Sequence, residues 1–211
     1  MKPFVVAGID LAGVDRRPTG ACVLRALNAS TTLLFSDAEI LEFVRTAHPD
    51  LVVIDAPLHL PPGRRTIEDR NGAHFRPCDL ELRKYHIPFF PITLGPMRAL
   101  TTRGIQLRRR LEREGFRVAE MYPGGAQDVC GIPRARCDPL KLRQGLARLG
   151  MKGLPAGLSD HELDAATGAL VGRLYLLGKA RVFGDFKSGA ILMPAEPRKG
   201  KNKPASGSKR K

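Results

Sequence analysis

Apolar residues in the first 55 positions fall into short runs that are typical of strands, with one helical segment between them. The continuous apolar run at 51–55 indicates a central, buried strand parallel to the first. Ser36 and Glu39 have the spacing of a capping box, which predicts a helix running to about His48. The strands are predicted at 4–10, 20–26, 31–35 and 51–55.

Residues 57–96 break this pattern because they hold 7 of the 17 prolines. Long regular structure is not expected there, so we interpret the segment as an insertion after the fourth strand, with one short helix near 79–84. Its aromatic residues, Tyr85, Phe89 and Phe90, are suited either to stacking on bases or to forming a small core.

The second half of the chain returns to regular periodicity. An apolar stripe from Met97 to Leu111 predicts a helix of about four turns. Asp138 before a proline is typical of a helix start, and Ser159 with Glu162 forms a second capping box. A fifth strand is predicted at 116–121, a last helix up to about 177, and a hairpin-like end at 182–193. This order predicts an α/β fold with a mixed sheet.

Charge adds a partner class to this picture. The 211 residues include 35 Lys+Arg against 21 Asp+Glu, a net charge of +14, and 43% are hydrophobic. That composition excludes a largely disordered chain and favours polyanionic partners, nucleic acid first. Residues 197–211 hold seven basic residues and no acidic one, which predicts a disordered basic tail and leaves half of the charge on residues 1–196.

The surroundings of the protein are predicted from two further features of the sequence. No apolar run reaches the roughly 18 residues of a membrane helix, so we expect no membrane association. The four cysteines are scattered, without a metal-binding or disulfide pattern, which favours reduced thiols in the cytoplasm. The sequence leaves the oligomeric state open.

Two aspartates end the first and fourth predicted strands. If those strands are parallel neighbours, Asp10 and Asp55 emerge at the same edge of the sheet, where ligands bind in open α/β folds. A carboxylate that follows an apolar run is costly to desolvate unless something compensates it. A divalent cation with oxygen ligands would compensate both together. Strand-end turn caps or a buried ion pair would also satisfy them.

A third carboxylate lies on the helix predicted to start at Ser159. Asp164 precedes small residues suited to close packing on a sheet, so it lies in an inward-facing stretch. Asp160 and His161 share its helix face at spacings of four and three residues. His161 is suited to binding metal, positioning water or capping the helix, and Asp160 also interacts favourably with the helix N-terminus.

Three motifs together carry a family resemblance. They are Gly-Ile-Asp-Leu-Ala at 8–12, Val-Ile-Asp-Ala-Pro at 53–57 and His-x-x-Asp-Ala at 161–165. In this order the chain resembles ribonuclease H-like nucleases, and more narrowly an uncharacterised prokaryotic family of predicted nucleases with a resolvase-like active-site pattern. The resemblance covers about residues 4–194. It implies a ribonuclease H-like domain over 1–196, with a five-stranded mixed sheet flanked by helices.

The same resemblance implies a catalytic site. Asp10, Asp55 and Asp164 would hold one or two Mg²⁺ or Mn²⁺ ions, and His161 occupies a position that is acidic or histidine in the resolvase branch. Metal-bound water would then hydrolyse phosphodiester bonds of DNA or RNA. Glu120, at the end of the fifth predicted strand, and Asp160 are possible outer carboxylates, although solvation at the sheet edge accounts equally well for Glu120.

Basic side chains around the insertion are expected to grip the nucleic-acid backbone without reading its sequence. They are Arg64, Arg65, Arg76, Arg83, Arg98 and Arg103.

Two other functions compete with the nuclease. A non-catalytic nucleic-acid-binding module on the same fold would carry the same charge, and metal binding would separate the two. An actin-like phosphotransferase would share the Gly8-Ile9-Asp10 start. That class needs two such domains and a second glycine-rich loop, which a chain of 211 residues cannot easily supply.

Overall fold

The computed structural model describes residues 3–195, so the predicted basic tail at 197–211 lies outside the described residues. Within that range the chain forms seven strands and six helices. The strands are β1 (Val5–Asp10), β2 (Thr19–Arg25), β3 (Asn28–Leu34), β4 (Leu51–Asp55), β5 (Val118–Met121), β6 (Ala180–Asp185) and β7 (Gly189–Pro194). The helices are α1 (Asp37–Ala47), α2 (Pro77–Lys84), α3 (Gly95–Arg113), α4 (Pro123–Cys130), α5 (Pro139–Arg148) and α6 (Asp160–Leu176).

All seven strands join one mixed sheet in the order β3-β2-β1-β4-β5-β7-β6. β1, β2 and β3 form an antiparallel meander, whereas β4, β5 and β7 continue from β1 in parallel. The α/β class is confirmed, but the prediction of five strands is wrong. The C-terminal hairpin supplies the two additional strands. β7 pairs with β5, and β6 pairs antiparallel with β7 at the edge of the sheet.

Alternating side chains divide the core into two layers. On one face, Val6 and Val53 pack with residues of α6 such as Ala166 and Leu170. On the other, Ile9 and neighbouring strand residues pack with α1 and α3. This period of two is what a sheet covered by helices on both faces requires.

Two glycines let α6 lie directly against the sheet. A Cβ on Gly8 would lie 2.1 Å from the carbonyl oxygen of Ala165, and one on Gly20 would lie 2.0 Å from that of His161. No side chain other than hydrogen fits at either position without moving the helix. The start of α6 is therefore held next to the ends of β1 and β2.

Capping chemistry sets several of the helix boundaries. Ser36 and Ser159 both complete the capping boxes predicted from the sequence, and Asp138 caps α5 by accepting from the backbone N–H of Lys141. α4 is an element that the sequence analysis missed. It begins Pro-Gly-Gly, and because glycine is among the weakest helix formers this start does not look helical.

Residues 57–76, the first half of the proline-rich segment, contain no helix or strand. α2 follows and packs on β6 and β7, so this segment lies over the C-terminal half of the sheet. The division of the chain into a nuclease core and an insertion stays a prediction. No helix within residues 3–195 has the length and hydropathy needed to cross a membrane.

Candidate active site

Asp10 and Asp55 lie side by side at the carboxyl ends of two parallel strands. β1 and β4 pair in register, with Asp10 opposite Asp55, and both residues are partly buried. Burial raises the pKa of Asp55 well above its usual range, and the negative charges of Asp10 and Asp164 raise it further. The two strands therefore bring together carboxylates that repel each other.

Asp164 reaches the same place from α6. It is half-buried among fully buried neighbours, because the helix lies flat on β1. Burial raises its pKa to about 7; a hydrogen bond from Gln127 opposes this shift, whereas the charges of Asp10 and Asp160 add to it. The pKa shifts of both Asp55 and Asp164 thus record excess negative charge in a poorly solvated site.

His161 is in direct contact with the first aspartate. Its Nδ1 lies 2.6 Å from Oδ2 of Asp10, and its side chain is 41% exposed. The hydrogen bond with Asp10 is the main cause of the raised pKa of His161. The imidazole can therefore orient the carboxylate and still reach a substrate.

Asp160 begins α6 and accepts a hydrogen bond from the main-chain N–H of His161 at 3.0 Å. A carboxylate at a helix N-terminus makes this kind of contact. It matches the interaction with the helix N-terminus that the sequence offered as an alternative role for Asp160. Asp160 also raises the pKa of Asp164 through its charge, so it contributes to the field of the site.

Gln127 is a site residue that the sequence analysis missed. Its side chain is buried, and its Nε2 donates to Oδ1 of Asp164 at 2.6 Å and to Oγ1 of Thr167 at 3.1 Å. It belongs to α4, the helix that was not predicted. No signal in the local sequence marks a glutamine four residues after Pro123 as a partner of Asp164.

Glu120 is part of a buried ion cluster. It accepts two hydrogen bonds from Arg76 at 2.6 and 2.8 Å and one from the main-chain N–H of Leu58 at 2.8 Å. Asp79 holds the other side of the same guanidinium at 2.8 Å. Solvation at the sheet edge therefore does not explain Glu120, which is 5% exposed and neutralised by Arg76.

This cluster corrects one predicted nucleic-acid contact, and a second ion cluster corrects another. Arg76 is 2% exposed and turned inward, so it has no free face for a phosphate. Arg103 is 7% exposed, pairs with Asp15 and Asp37 and donates to the carbonyl of Ala12. Neither arginine is supported as a contact to the nucleic-acid backbone, because both are buried and their guanidinium groups are paired with carboxylates of the protein itself.

The remaining predicted grip residues lie nearer the surface. Arg65 and Arg83 are exposed, and Arg83 lies over the ring of Phe75 at 5.2 Å. Arg98 pairs with Glu68, and Arg64 donates to main-chain carbonyls of its own loop. Their role in nucleic-acid binding stays a prediction.

The carboxylates of Asp10, Asp55 and Asp164 are a donor set that suits Mg²⁺ or Mn²⁺, because hard cations prefer oxygen ligands. Burial and the neighbouring negative charges raise the pKa values of Asp55 and Asp164, and a bound cation would offset both effects. Across residues 3–195, no group of three or more His, Cys, Asp or Glu side chains is arranged closely enough to hold an ion as it stands. The donor chemistry fits a divalent metal, and closing the set requires side-chain movements.

Comparison with known proteins gives a family and two distant structural neighbours. The fold is similar to that of a RuvC structure from Thermus thermophilus, with 17% identity, a TM-score of 0.46, and coverage of 82% of this chain and 96% of that one. It is also similar to "T. thermophilus RuvC in complex with Holliday junction substrate", with 18% identity, a TM-score of 0.46, and coverage of 83% and 96%. No curated protein matches. Residues 8–187 match the family described as "Protein of unknown function (DUF429)", and the chain belongs to that family.

Proposed function

We propose that the protein is a metal-dependent nuclease that hydrolyses phosphodiester bonds of DNA or RNA. The observation that carries the proposal is the register pair Asp10–Asp55, joined by Asp164 from α6. A structural ion pair does not account for this trio, because among residues 3–195 the three carboxylates share a single salt-bridge partner, His161. The motifs that resemble ribonuclease H-like nucleases coincide with these same residues.

Each residue has a distinct task in this proposal. Asp10, Asp55 and Asp164 would hold one or two Mg²⁺ or Mn²⁺ ions, which when bound supply an activated water and stabilise the leaving oxygen. His161 orients Asp10 through its Nδ1 contact. Gln127 leaves one oxygen of Asp164 free by engaging the other. The positive charge of the chain attracts the substrate backbone.

Substitution of the first aspartate tests this directly. Asp10→Asn should lower Mn²⁺-dependent cleavage of a panel of single-stranded, hybrid and four-way-junction substrates by at least about a hundredfold. Asp138→Asn is the matched control, because asparagine caps a helix as well as aspartate does. If Asp10→Asn cleaves like the parent protein, the nuclease assignment is wrong.

A non-catalytic nucleic-acid-binding module is the second candidate. The observation that favours it is that no three ligands converge closely enough to hold an ion, among residues 3–195. Calorimetry separates the two functions: binding of Mn²⁺ to the parent protein that is lost in Asp10→Asn supports the nuclease. Nucleic-acid binding with no uptake of Mn²⁺ or Mg²⁺ would support the module instead.

A further inference from the structure

A cavity of about 160 Å³ opens next to the carboxylates. Asp55 lines it, together with Arg76, Asp79 and Glu120 of the buried ion cluster. Most of the remaining wall is apolar and aromatic, and it includes Phe89, Phe90, Ile92, Met97, Leu100 and Tyr122. The cavity is therefore continuous with the candidate active site, because both contain Asp55.

The aromatic residues of the proline-rich segment divide into two groups. Phe89 is partly buried, packs against the core and meets Phe75 edge-on at 6.1 Å. Tyr85 meets Phe183 edge-on at 5.3 Å. Phe90 lines the same cavity yet keeps 67% of its surface exposed. Phe89 and Tyr85, the latter 43% exposed, are each engaged with another ring, whereas Phe90 forms no ring pair among the described residues and its ring is available to an occupant.

The size and polarity of the cavity select a small planar ring. A closed cavity of roughly 150 Å³ lined by Leu, Ile and Phe takes up a benzene molecule, so a volume of about 160 Å³ suits a single base and is too small for a base pair. The charges of Arg76, Asp79 and Glu120 are satisfied within their own cluster. The occupant need not be charged, but its polar edge would meet the polar side chains of the lining.

We propose that this cavity receives one unpaired base of the nucleic acid, from a nucleotide next to the bond to be cut. The inference rests on the proposed nuclease function and narrows its substrate to strands with an accessible unpaired base. Stacking on an aromatic side chain holds such a base. The attached sugar-phosphate would then lie near Asp55, which belongs both to the lining of the cavity and to the candidate active site.

A binding cycle without cleavage tests the pocket. The Asp10→Asn protein, free of metal, is titrated into fluorescently labelled oligothymidylate and into an abasic oligonucleotide of the same length, and anisotropy is measured. Adding Phe90→Ala should weaken binding of oligothymidylate by about tenfold, which is within the range for one stacked base. The same change should leave binding of the abasic strand unaltered.

Two further variants control for surface effects. Phe186→Ala removes another exposed phenylalanine, 49% exposed and packed beside Tyr175 at the β6–β7 turn, and should change neither affinity. Phe90→Trp should restore the preference for bases. If Phe90→Ala weakens both strands equally, or neither, the base pocket is wrong.

The outcome for the pocket is separable from that for the nuclease. If the parent protein cleaves with Mn²⁺ but Phe90→Ala changes the affinities for oligothymidylate and for the abasic strand equally, only the base pocket is wrong. If the parent protein neither binds nor cleaves any strand of the panel, both the proposed nuclease function and the base pocket are wrong.

Discussion

The side-chain amide of Gln127 donates to Oδ1 of Asp164 at 2.6 Å, and this contact holds one of the two oxygens of that carboxylate. The glutamine is itself held by Thr167 and is fully enclosed. A buried partner that orients a metal-binding carboxylate commonly changes metal affinity or activity ten- to a hundredfold when it is removed. Gln127 is therefore a positioning residue for the proposed site.

Gln127→Leu should weaken Mn²⁺ binding, measured by calorimetry, by about tenfold or more, because Asp164 loses its only side-chain donor in the described contacts. Thr167→Val is the comparison: it removes the second partner of the amide but leaves the donor to Asp164 in place, so Mn²⁺ affinity should change much less. Equal Mn²⁺ affinity in Gln127→Leu and the parent protein would show that the contact is only structural.

The elevated pKa of Asp164 makes the metal-free protein less stable as pH rises. In the unfolded chain this carboxyl titrates near 3.8, and burial raises its pKa to about 7 in the folded protein. Between these values the folded state binds the extra proton, so the free energy of unfolding falls as pH rises through that window. Asp164→Asn should therefore be the more stable protein at pH 8 in EDTA, by about 2–4 kcal/mol.

Urea unfolding of both proteins at pH 5 and pH 8, with EDTA throughout, measures this difference. The difference in free energy of unfolding between Asp164→Asn and the parent should be smaller at pH 5, because Asp164 is then protonated in the folded parent and part of the cost of its buried charge is removed. Asp138→Asn, at an exposed helix cap, should follow the parent at both pH values. A less stable Asp164→Asn protein at pH 8 would mean that burial and neighbouring negative charge do not destabilise the ionised carboxylate.

The contact between Gly8 and α6 predicts a large effect from one methyl group. In Gly8→Ala the new Cβ would meet the carbonyl oxygen of Ala165 at 2.1 Å and the main-chain nitrogen of Ala169 at 2.6 Å, so the helix must shift. We expect a loss of about 3 kcal/mol or more in the free energy of unfolding, measured in urea. Cleavage should fall further than the unfolded fraction explains, since Asp164 moves with α6.

Gly13→Ala is the matched control for this change. A Cβ at Gly13 would lie 3.6 Å from the nearest atom, in Leu100, which is an ordinary contact. Its free energy of unfolding should stay within about 1 kcal/mol of the parent value. Similar stability of the two variants would contradict the close approach of α6 to β1.

Much of this fold could be predicted from local sequence patterns. The apolar runs that end at Asp10 and Asp55 predicted the two central strands, and the capping box at Ser159 predicted the start of α6. These features depend on residues a few positions apart. Their meeting at one sheet edge followed from the expectation that β1 and β4 are parallel, which the structure confirms.

Features that depend on distant pairing were not accessible in the same way. The C-terminal hairpin has a clear local pattern, but nothing in it indicates that β7 would pair with β5. Arg76 lies in a proline-rich, polar segment and looks like a surface residue, yet its two carboxylate partners include Glu120, 44 positions away. Gln127 was not predicted as a site residue because its helix begins Pro-Gly-Gly, which does not look helical.

The buried cluster around Arg76 predicts a large loss of stability when the arginine alone is replaced. Arg76→Met would leave Asp79 and Glu120 buried, at 1% and 5% exposure, without their cation. Removing one partner from a buried ion cluster costs about 3–5 kcal/mol, and that loss is expected in urea unfolding at pH 8. Burial already raises the pKa of Glu120, with Arg76 opposing the shift, so losing Arg76 raises it further.

The pH dependence of this loss distinguishes uncompensated charge from simple loss of packing. Folded Arg76→Met would bind protons that its unfolded chain does not, so its stability should recover partly as pH falls from 8 towards 5. Arg45→Met is the control, because Arg45 pairs with Glu114 at 2.7 Å but is 49% exposed, and such surface pairs contribute about 0–1 kcal/mol. A loss for Arg76→Met as small as that for Arg45→Met, or one that stays constant between pH 5 and pH 8, would show that the buried guanidinium does not compensate these carboxylates.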